Sequence, residues 1–190
     1  MKILNNYLFQ KCARQYLSQM SRERRFVNYN KAKSVLLLFE SDLLENNQNI
    51  REIIAQLQQD GKKVSAWGFV NKKEVSTSAL LGFRILNRKH TDFFQKPVIP
   101  LINELETQEF DLLIDLSVKP VVALEYIAMY ANALCKTGLR KTDLPLFDFV
   151  LDLEEIKTAA QNTESNEKPV DATYLFEQII FYLKSIQTKD

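Results

Sequence analysis

The stretch Phe110-Asp111-Leu112-Leu113-Ile114-Asp115-Leu116-Ser117 decides the fold class of this chain. Four of the five residues from 112 to 116 are aliphatic, and the polar side chains gather near the two ends. A continuous apolar run of this length predicts a strand that is buried on both faces, as at the centre of a parallel sheet. We therefore expect an α/β fold.

The preceding sequence supplies a β-α-β unit. Val35-Leu36-Leu37-Leu38-Phe39 predicts a first buried strand, and a helix is expected from Glu45 to Asp60, where Gly61 provides its stop. A second strand is expected over Val64–Val70. Two strands joined by a helix in this way are parallel, and the crossover is nearly always right-handed.

The remaining elements follow from the same patterns. A short third strand is expected at 83–86, and a short helix is expected at 101–108. A last helix is expected to begin at Asp171. The apolar run after Ser117 predicts a helix reaching Leu134, capped by Ser117 at its start and ended by Lys136-Thr137-Gly138. The polar segment 157–169 has no apolar period and predicts a mobile loop.

The last strand is expected over Leu146–Leu153, whose order of aromatic, acidic and aliphatic residues is similar to that of Phe110–Leu116. The two segments are therefore expected to lie interior and side by side in one sheet. The complete prediction is a three-layer Rossmann-like α/β domain over 31–190, with a mostly parallel sheet of about five strands and helices on both faces. A basic amphipathic helix over 1–30 precedes it.

Composition indicates an ordinary globular protein. Of 190 residues, 46% are hydrophobic and 26% charged, which fits one domain with a sizeable core. No apolar run approaches the length of a membrane span, and no signal peptide is evident. Cys12 and Cys135 match no metal or redox spacing, so we read them as reduced, buried thiols in a cytoplasmic protein, with a reactive thiol as the alternative.

Charge is unevenly distributed along the chain. Residues 1–33 carry eight basic side chains and one acid, whereas the rest carries 17 basic and 23 acidic groups. The apolar side predicted for the first helix comprises Leu4, Tyr7, Leu8, Cys12, Tyr16, Leu17 and Met20. Such a helix docks on its own domain or on a protein partner or second copy, lies on an anionic membrane surface, or contacts nucleic acid; the first reading is favoured and nucleic acid is the least favoured.

No sequence motif for catalysis or cofactor binding is present. The segment after the first strand, Glu40-Ser41-Asp42-Leu43-Leu44-Glu45, lacks the glycines of a dinucleotide fold and carries acids that would repel phosphate. His90 is the single histidine and has no ligand or nucleophile at a suitable spacing. The sequence therefore identifies no cofactor and favours a non-enzymatic role.

A candidate ligand site is predicted by topology. Ligands of open parallel sheets bind outside the carboxyl ends of the strands, where the strand order switches. Asp42, Asp115, Ser117 and Lys136 are the candidate residues at this rim. Acids there could hold Mg²⁺, but such residues more commonly cap helices, and the prediction includes no metal site.

Several segments resemble known families. The order of Val35–Ser41, Gly61–Glu74, Leu86–Pro97, Phe110–Ser117, Tyr126–Leu139 and Phe147–Leu153 resembles a family of short bacterial proteins with a domain of unknown function, over roughly residues 33–187. That resemblance implies a Rossmann-like domain and no assigned activity. Phe110–Leu116 and the Lys136-Thr137-Gly138 step also resemble the N-terminal half of heptosyltransferase-like GT-B glycosyltransferases, from which no functional residue carries over.

These observations favour a non-catalytic interaction or regulatory domain that acts through a protein partner. One alternative is a small-molecule or nucleotide-sugar binding domain related to a glycosyltransferase half. Another is a protein associated with the inner membrane through its first helix.

Overall fold

A computed structural model of the chain describes residues 2–19, 24–41, 47–73, 82–152 and 170–186. The candidate residue Asp42 and the loop predicted at 157–169 lie outside these residues.

In the part of the chain that the structure describes, six parallel strands form one sheet in the order β3-β2-β1-β4-β5-β6. The strands are β1 (Ser34–Glu40), β2 (Lys63–Phe69), β3 (Arg84–Leu86), β4 (Glu109–Asp115), β5 (Asn132–Leu139) and β6 (Phe149–Leu151). This order is that of a doubly wound dinucleotide-binding fold.

Helices cover both faces of the sheet, which confirms the predicted three-layer α/β architecture. Within the described residues they are α1 (Lys2–Gln19), α2 (Gln48–Gln59), α3 (Ile99–Thr107), α4 (Val122–Tyr130) and α5 (Ala172–Ser185), with a 3₁₀ turn at Arg88–His90. Leu36, Leu38 and Leu113 face the core shared with α1, α3 and α4. Val35 and Leu37 face the opposite core, shared with α2 and α5.

Strands β1 and β4 are neighbours at the centre of the sheet, as their aliphatic runs predict. Val35 pairs with Leu112, and Leu37 pairs with Ile114. Side chains of successive strand residues point to opposite faces, so an uninterrupted aliphatic run fills both cores at once. These four side chains have no exposed surface.

The predicted neighbour of β4 was wrong. Strand β5 lies between β4 and β6, and β6 is a three-residue strand at the sheet edge. Phe149 and Val150 are accordingly only partly buried. Similar sequences in two strands indicate similar side-chain environments, but they do not determine which strands pair.

The helix predicted to reach Leu134 was too long. Helix α4 ends at Tyr130, and β5 begins at Asn132, with Ala133 opposite Phe110 and Cys135 opposite Leu112. An alanine-rich apolar run satisfies helical and buried-strand patterns equally well. The segment forms a strand because it pairs with β4, and this pairing is a tertiary contact that local sequence does not show.

Helix α1 packs against α4 of the same chain, on a face rotated from the predicted one. Phe9 and Ala13 are fully buried, whereas Leu4 and Tyr7 are 49% and 63% exposed. The ring of Phe9 contacts Tyr126 at 4.8 Å between centroids in an edge-to-face arrangement. Within the described residues, no helix has both the length and the apolar character needed to cross a bilayer.

Candidate functional site at the carboxyl edge of the sheet

The strand order switches between β1 and β4. From β1 the chain proceeds outward through β2 to β3, and it then returns to the other side of β1 and proceeds through β4 to β6. Crossover connections therefore leave the carboxyl ends of β1 and β4 in opposite directions. That divergence opens the crevice in which ligands of such sheets bind.

Asp115, the last residue of β4, is the centre of a closed polar network. Its side chain is fully buried. Oδ1 accepts hydrogen bonds from the backbone N–H of Ser117 at 2.9 Å and from its hydroxyl at 2.5 Å. Oδ2 accepts from Lys141 Nζ at 2.6 Å, and Nζ also donates to Ser117 Oγ at 2.6 Å. The three side chains hold one another in place.

Ser117 Oγ has two partners in this network, since it donates to Asp115 Oδ1 and accepts from Lys141 Nζ. Removing the hydroxyl proton requires a base, and Lys141 is ion-paired with the buried Asp115 carboxylate. Lys141 Nζ donates to both Asp115 Oδ2 and Ser117 Oγ, so in this arrangement it does not accept the hydroxyl proton. The arrangement supplies fixed charges and hydrogen-bond groups rather than an activated hydroxyl.

Ser117 does not cap α4, contrary to the sequence-based expectation. The helix begins at Val122, and Val121 at the cap position makes no side-chain hydrogen bond. Four residues separate Ser117 from α4, including Pro120, and the hydroxyl turns back to Asp115 instead.

Lys136 lies away from Asp115 and Ser117. Its Nζ donates to the carbonyl oxygens of Ala128 at 2.7 Å and Met129 at 3.1 Å, in the last turn of α4. That helix runs from the carboxyl edge of the sheet back to its amino edge, so the Lys136 ammonium closes the far end of the helix. Of the four predicted residues, the structure brings Asp115 and Ser117 together, separates Lys136 from them and does not describe Asp42.

Glu125 is the residue that the sequence reasoning missed. It lies in the first turn of α4 and is 1% exposed, and neither carboxyl oxygen has a hydrogen-bond partner within the described residues. Burial raises the pKa of this carboxyl to about 7; Lys141 opposes that shift and Asp115 adds to it. A single acid in the otherwise apolar run Val121–Ala128 is a signal that could have identified it.

A cleft of about 270 Å³ opens beside Glu125. The segment after β5 and the segment leading to β6 line it, with polar residues Arg140, Lys141, Thr142 and Asp143 and apolar residues that include Leu144 and Phe147. Lys141 Nζ lies 5.9 Å from the centroid of the Phe147 ring. The cleft thus combines a buried carboxyl, an ion pair and an aromatic wall.

Gly138 allows these groups to approach one another. A Cβ atom at this position would lie 3.1 Å from the Phe147 ring and 3.3 Å from Asp115 Cβ. Both distances are shorter than ordinary van der Waals contact, so a side chain there would push the ring or the carboxylate out of place.

A larger cleft of about 850 Å³ lies at the amino edge of the sheet. Three of the polar side chains that line it already have partners: Tyr16 donates to Glu106 at 3.3 Å, Asp111 accepts from the backbone N–H of Ser34 at 2.9 Å, and Lys136 binds the α4 carbonyls. Unlike the smaller cleft, it holds no carboxyl comparable to Glu125 among the described residues. We therefore place the candidate site at the carboxyl edge.

The described residues contain no group of three or more His, Cys, Asp or Glu side chains arranged to hold a metal ion. His90 is occupied locally, since its Nδ1 accepts a hydrogen bond from the backbone N–H of Asn87 at 3.1 Å. Burial lowers the pKa of His90 and Arg84 lowers it further. Cys12 and Cys135 are not joined in a disulfide; Cys135 is fully buried and Cys12 partly so.

Strand order and site together define the chain as a doubly wound, Rossmann-like α/β domain with a polar cluster at its carboxyl edge. The chain belongs to the DUF6913 family, a family of unknown function, whose model matches residues 5–186. The match includes α1, whereas the resemblance seen in the sequence began near residue 33. No curated protein sequence matches the chain.

Proposed function

We propose that this protein is a small-molecule-binding domain whose ligand occupies the carboxyl-edge cleft and contacts Glu125. The observation that carries the proposal is the buried carboxyl of Glu125, which lines the cleft and has no hydrogen-bond partner among the residues that the structure describes.

Leaving a buried polar group unsatisfied costs about 1–3 kcal/mol, and more for a charged group. Most buried polar side chains in proteins are hydrogen-bonded for this reason. A ligand that donates to Glu125 would recover that cost on binding. The network of Asp115, Ser117 and Lys141 keeps the surrounding groups fixed, so little ordering is required when the ligand enters.

The arrangement supports binding rather than catalysis. Lys141 is engaged by Asp115, and the Ser117 hydroxyl donates to the same carboxyl group, so all three side chains already have partners. The glycosyltransferase resemblance suggests an alternative ligand for this cleft, a hydroxyl-bearing compound such as a nucleotide sugar. A cytoplasmic location belongs to the proposal as well.

Protein-observed NMR with four classes of probe tests the proposal: neutral polyols and sugars, nucleotide sugars, primary amines and small carboxylates. We expect at least one class to shift the backbone amides of Glu125, Lys141 and Phe147 in a saturable manner. Glu125→Gln should weaken that response, and the matched control Glu177→Gln, an exposed carboxyl on α5, should not. Absence of saturable shifts around the cleft with all four classes would refute the proposal.

A second candidate function is self-association or partner binding through α1. Although one side of this helix packs on α4, Ile3 is 87% exposed and Tyr7 is 63% exposed. We propose that these side chains meet a second copy of the chain. Sedimentation equilibrium should then show a dimer that Ile3→Ser with Tyr7→Ser dissociates. A monomeric wild-type chain that floats with anionic liposomes would favour the membrane alternative instead.

A further inference from the structure

We propose that the ligand of the carboxyl-edge cleft is a small organic cation, bearing a primary ammonium or guanidinium group that binds the Glu125 carboxylate. This inference rests on the proposed function and specifies its ligand class.

The balance of charge in the cleft favours a cation. Both basic side chains that line it are already paired with acids: Lys141 Nζ lies 2.6 Å from Asp115, and Arg140 Nε lies 3.4 Å from Asp152. Glu125 and Asp143 also line the cleft, and the Glu125 oxygens have no hydrogen-bond partner among the described residues. The uncompensated charge is therefore acidic, with Glu125 at the buried end and Asp143 exposed.

The hydrogen-bond acceptors of the Glu125 carboxylate match the donors of an ammonium or guanidinium group. A carboxylate only accepts hydrogen bonds, with about four lone-pair sites, whereas an ammonium group only donates and carries three donors. A guanidinium group can address both carboxylate oxygens at once. Phe147 also lines the cleft, and aromatic rings attract organic cations.

The size of the cleft limits the ligand. A water molecule takes about 30 Å³ of liquid volume, so about 270 Å³ corresponds to roughly nine waters. Small amines and guanidines fit this space, whereas a nucleotide sugar would have to extend well beyond it.

Binding of a cation would be coupled to the ionisation of Glu125. The charged groups that face this carboxyl are Asp115 at the end of β4 and Lys141 after β5, and burial raises its pKa to about 7. If only the ionised form binds an ammonium group, the competent fraction rises about tenfold from pH 6 to pH 8. The affinity should rise by the same factor, because a primary amine stays protonated throughout that range.

Calorimetric titration with matched probes tests the inference. Ethanolamine and agmatine carry the proposed cationic groups, whereas ethylene glycol is neutral and glycolate is anionic. We expect the two cations to bind the wild-type protein about tenfold more tightly at pH 8 than at pH 6. Glu125→Gln should lower their affinity at least tenfold and abolish the pH dependence, whereas Glu177→Gln should leave both unchanged.

Two results would overturn the inference, and they can be told apart. If ethylene glycol or glycolate shifts the cleft amides and the cations do not, the site binds a ligand of another class, and the proposed function survives. If none of the probes, nor any class in the wider panel, shifts the cleft amides, the proposed function fails as well. The pH dependence in the wild-type protein requires no variant, so it remains informative even if Glu125→Gln folds poorly.

Discussion

Replacing Glu125 by glutamine should change how the stability of this protein depends on pH. The substitution keeps the size of the side chain and removes its ionisation. In the wild-type protein, burial raises the pKa of this carboxyl from 4.5 to about 7. Between these two pH values the folded chain holds a proton that the unfolded chain has released, so the free energy of unfolding falls as pH rises. Below the lower value and above the upper one, this contribution is constant.

The size of the effect follows from the two pKa values. Each pH unit between them corresponds to about 1.4 kcal/mol, which gives about 3 kcal/mol in total, with about 2.5 kcal/mol lost from about pH 5 to about pH 8. The side chain is 1% exposed, so solvent screening reduces this figure little. The glutamine variant lacks this loss, and its stability relative to wild type should therefore increase with pH.

Urea denaturation of both proteins across this pH range measures the difference directly. His90 also has a shifted pKa, but both proteins carry it, so its contribution cancels. Glu177→Gln, at an exposed position, should run parallel to wild type. If the curves for wild type and Glu125→Gln also run parallel from pH 5 to pH 8, the carboxyl is not desolvated, and the argument for an unsatisfied acid in the cleft is refuted.

Three further substitutions test the packing around the site and the docking of α1. Asp115→Asn should cost about 3–5 kcal/mol in urea denaturation, since it leaves the Lys141 ammonium buried without its counter-charge, and adding Lys141→Met should recover much of that loss; an unchanged single variant would contradict the ion pair. Phe9→Ala should cost about 3–5 kcal/mol and accelerate hydrogen exchange in α1, whereas Leu4→Ala, at an exposed position, should stay within about 0.5 kcal/mol of wild type; equal effects of the two would contradict the observed docking face. Gly138→Ala should lower the free energy of unfolding by about 1–3 kcal/mol, because the added Cβ meets the Phe147 ring. Thermal unfolding measures this loss, and a melting temperature equal to that of wild type would contradict the prediction by showing that the ring moves aside freely.

The central part of the fold could be predicted from local sequence. Strands that are buried on both faces need an uninterrupted aliphatic run, and Val35–Phe39 and Leu112–Ile114 are such runs. Helix α2 could also be predicted, because its apolar residues recur at helical spacing. All four are buried: Ile50, Ile53, Ile54 and Leu57. In each case one chemical property of consecutive side chains determines the element.

The residues of the candidate site could be predicted only in part from the sequence. Asp115 and Ser117 could be named as candidates because they lie at the end of a recognisable strand, and the carboxyl ends of parallel strands form the rim where ligands bind. Lys141 was missed because β5 was taken for the end of a helix, so the segment after it was not recognised as part of that rim. Lys136 was included for the same reason, although its ammonium group binds α4 carbonyls at the opposite edge.

The sequence by itself determined the class of fold, the central strands and the absence of known catalytic motifs, because these depend on the chemistry of residues that are close together in the chain. Only the tertiary structure decided that β5 lies beside β4, that Phe9 rather than Leu4 faces α4, and that Lys141 reaches Asp115. Each of these depends on contacts between distant segments, where several local patterns are equally compatible with the residues. The burial of Glu125 belongs to the same group, because its lack of a hydrogen-bond partner among the described residues can be seen only in the folded chain.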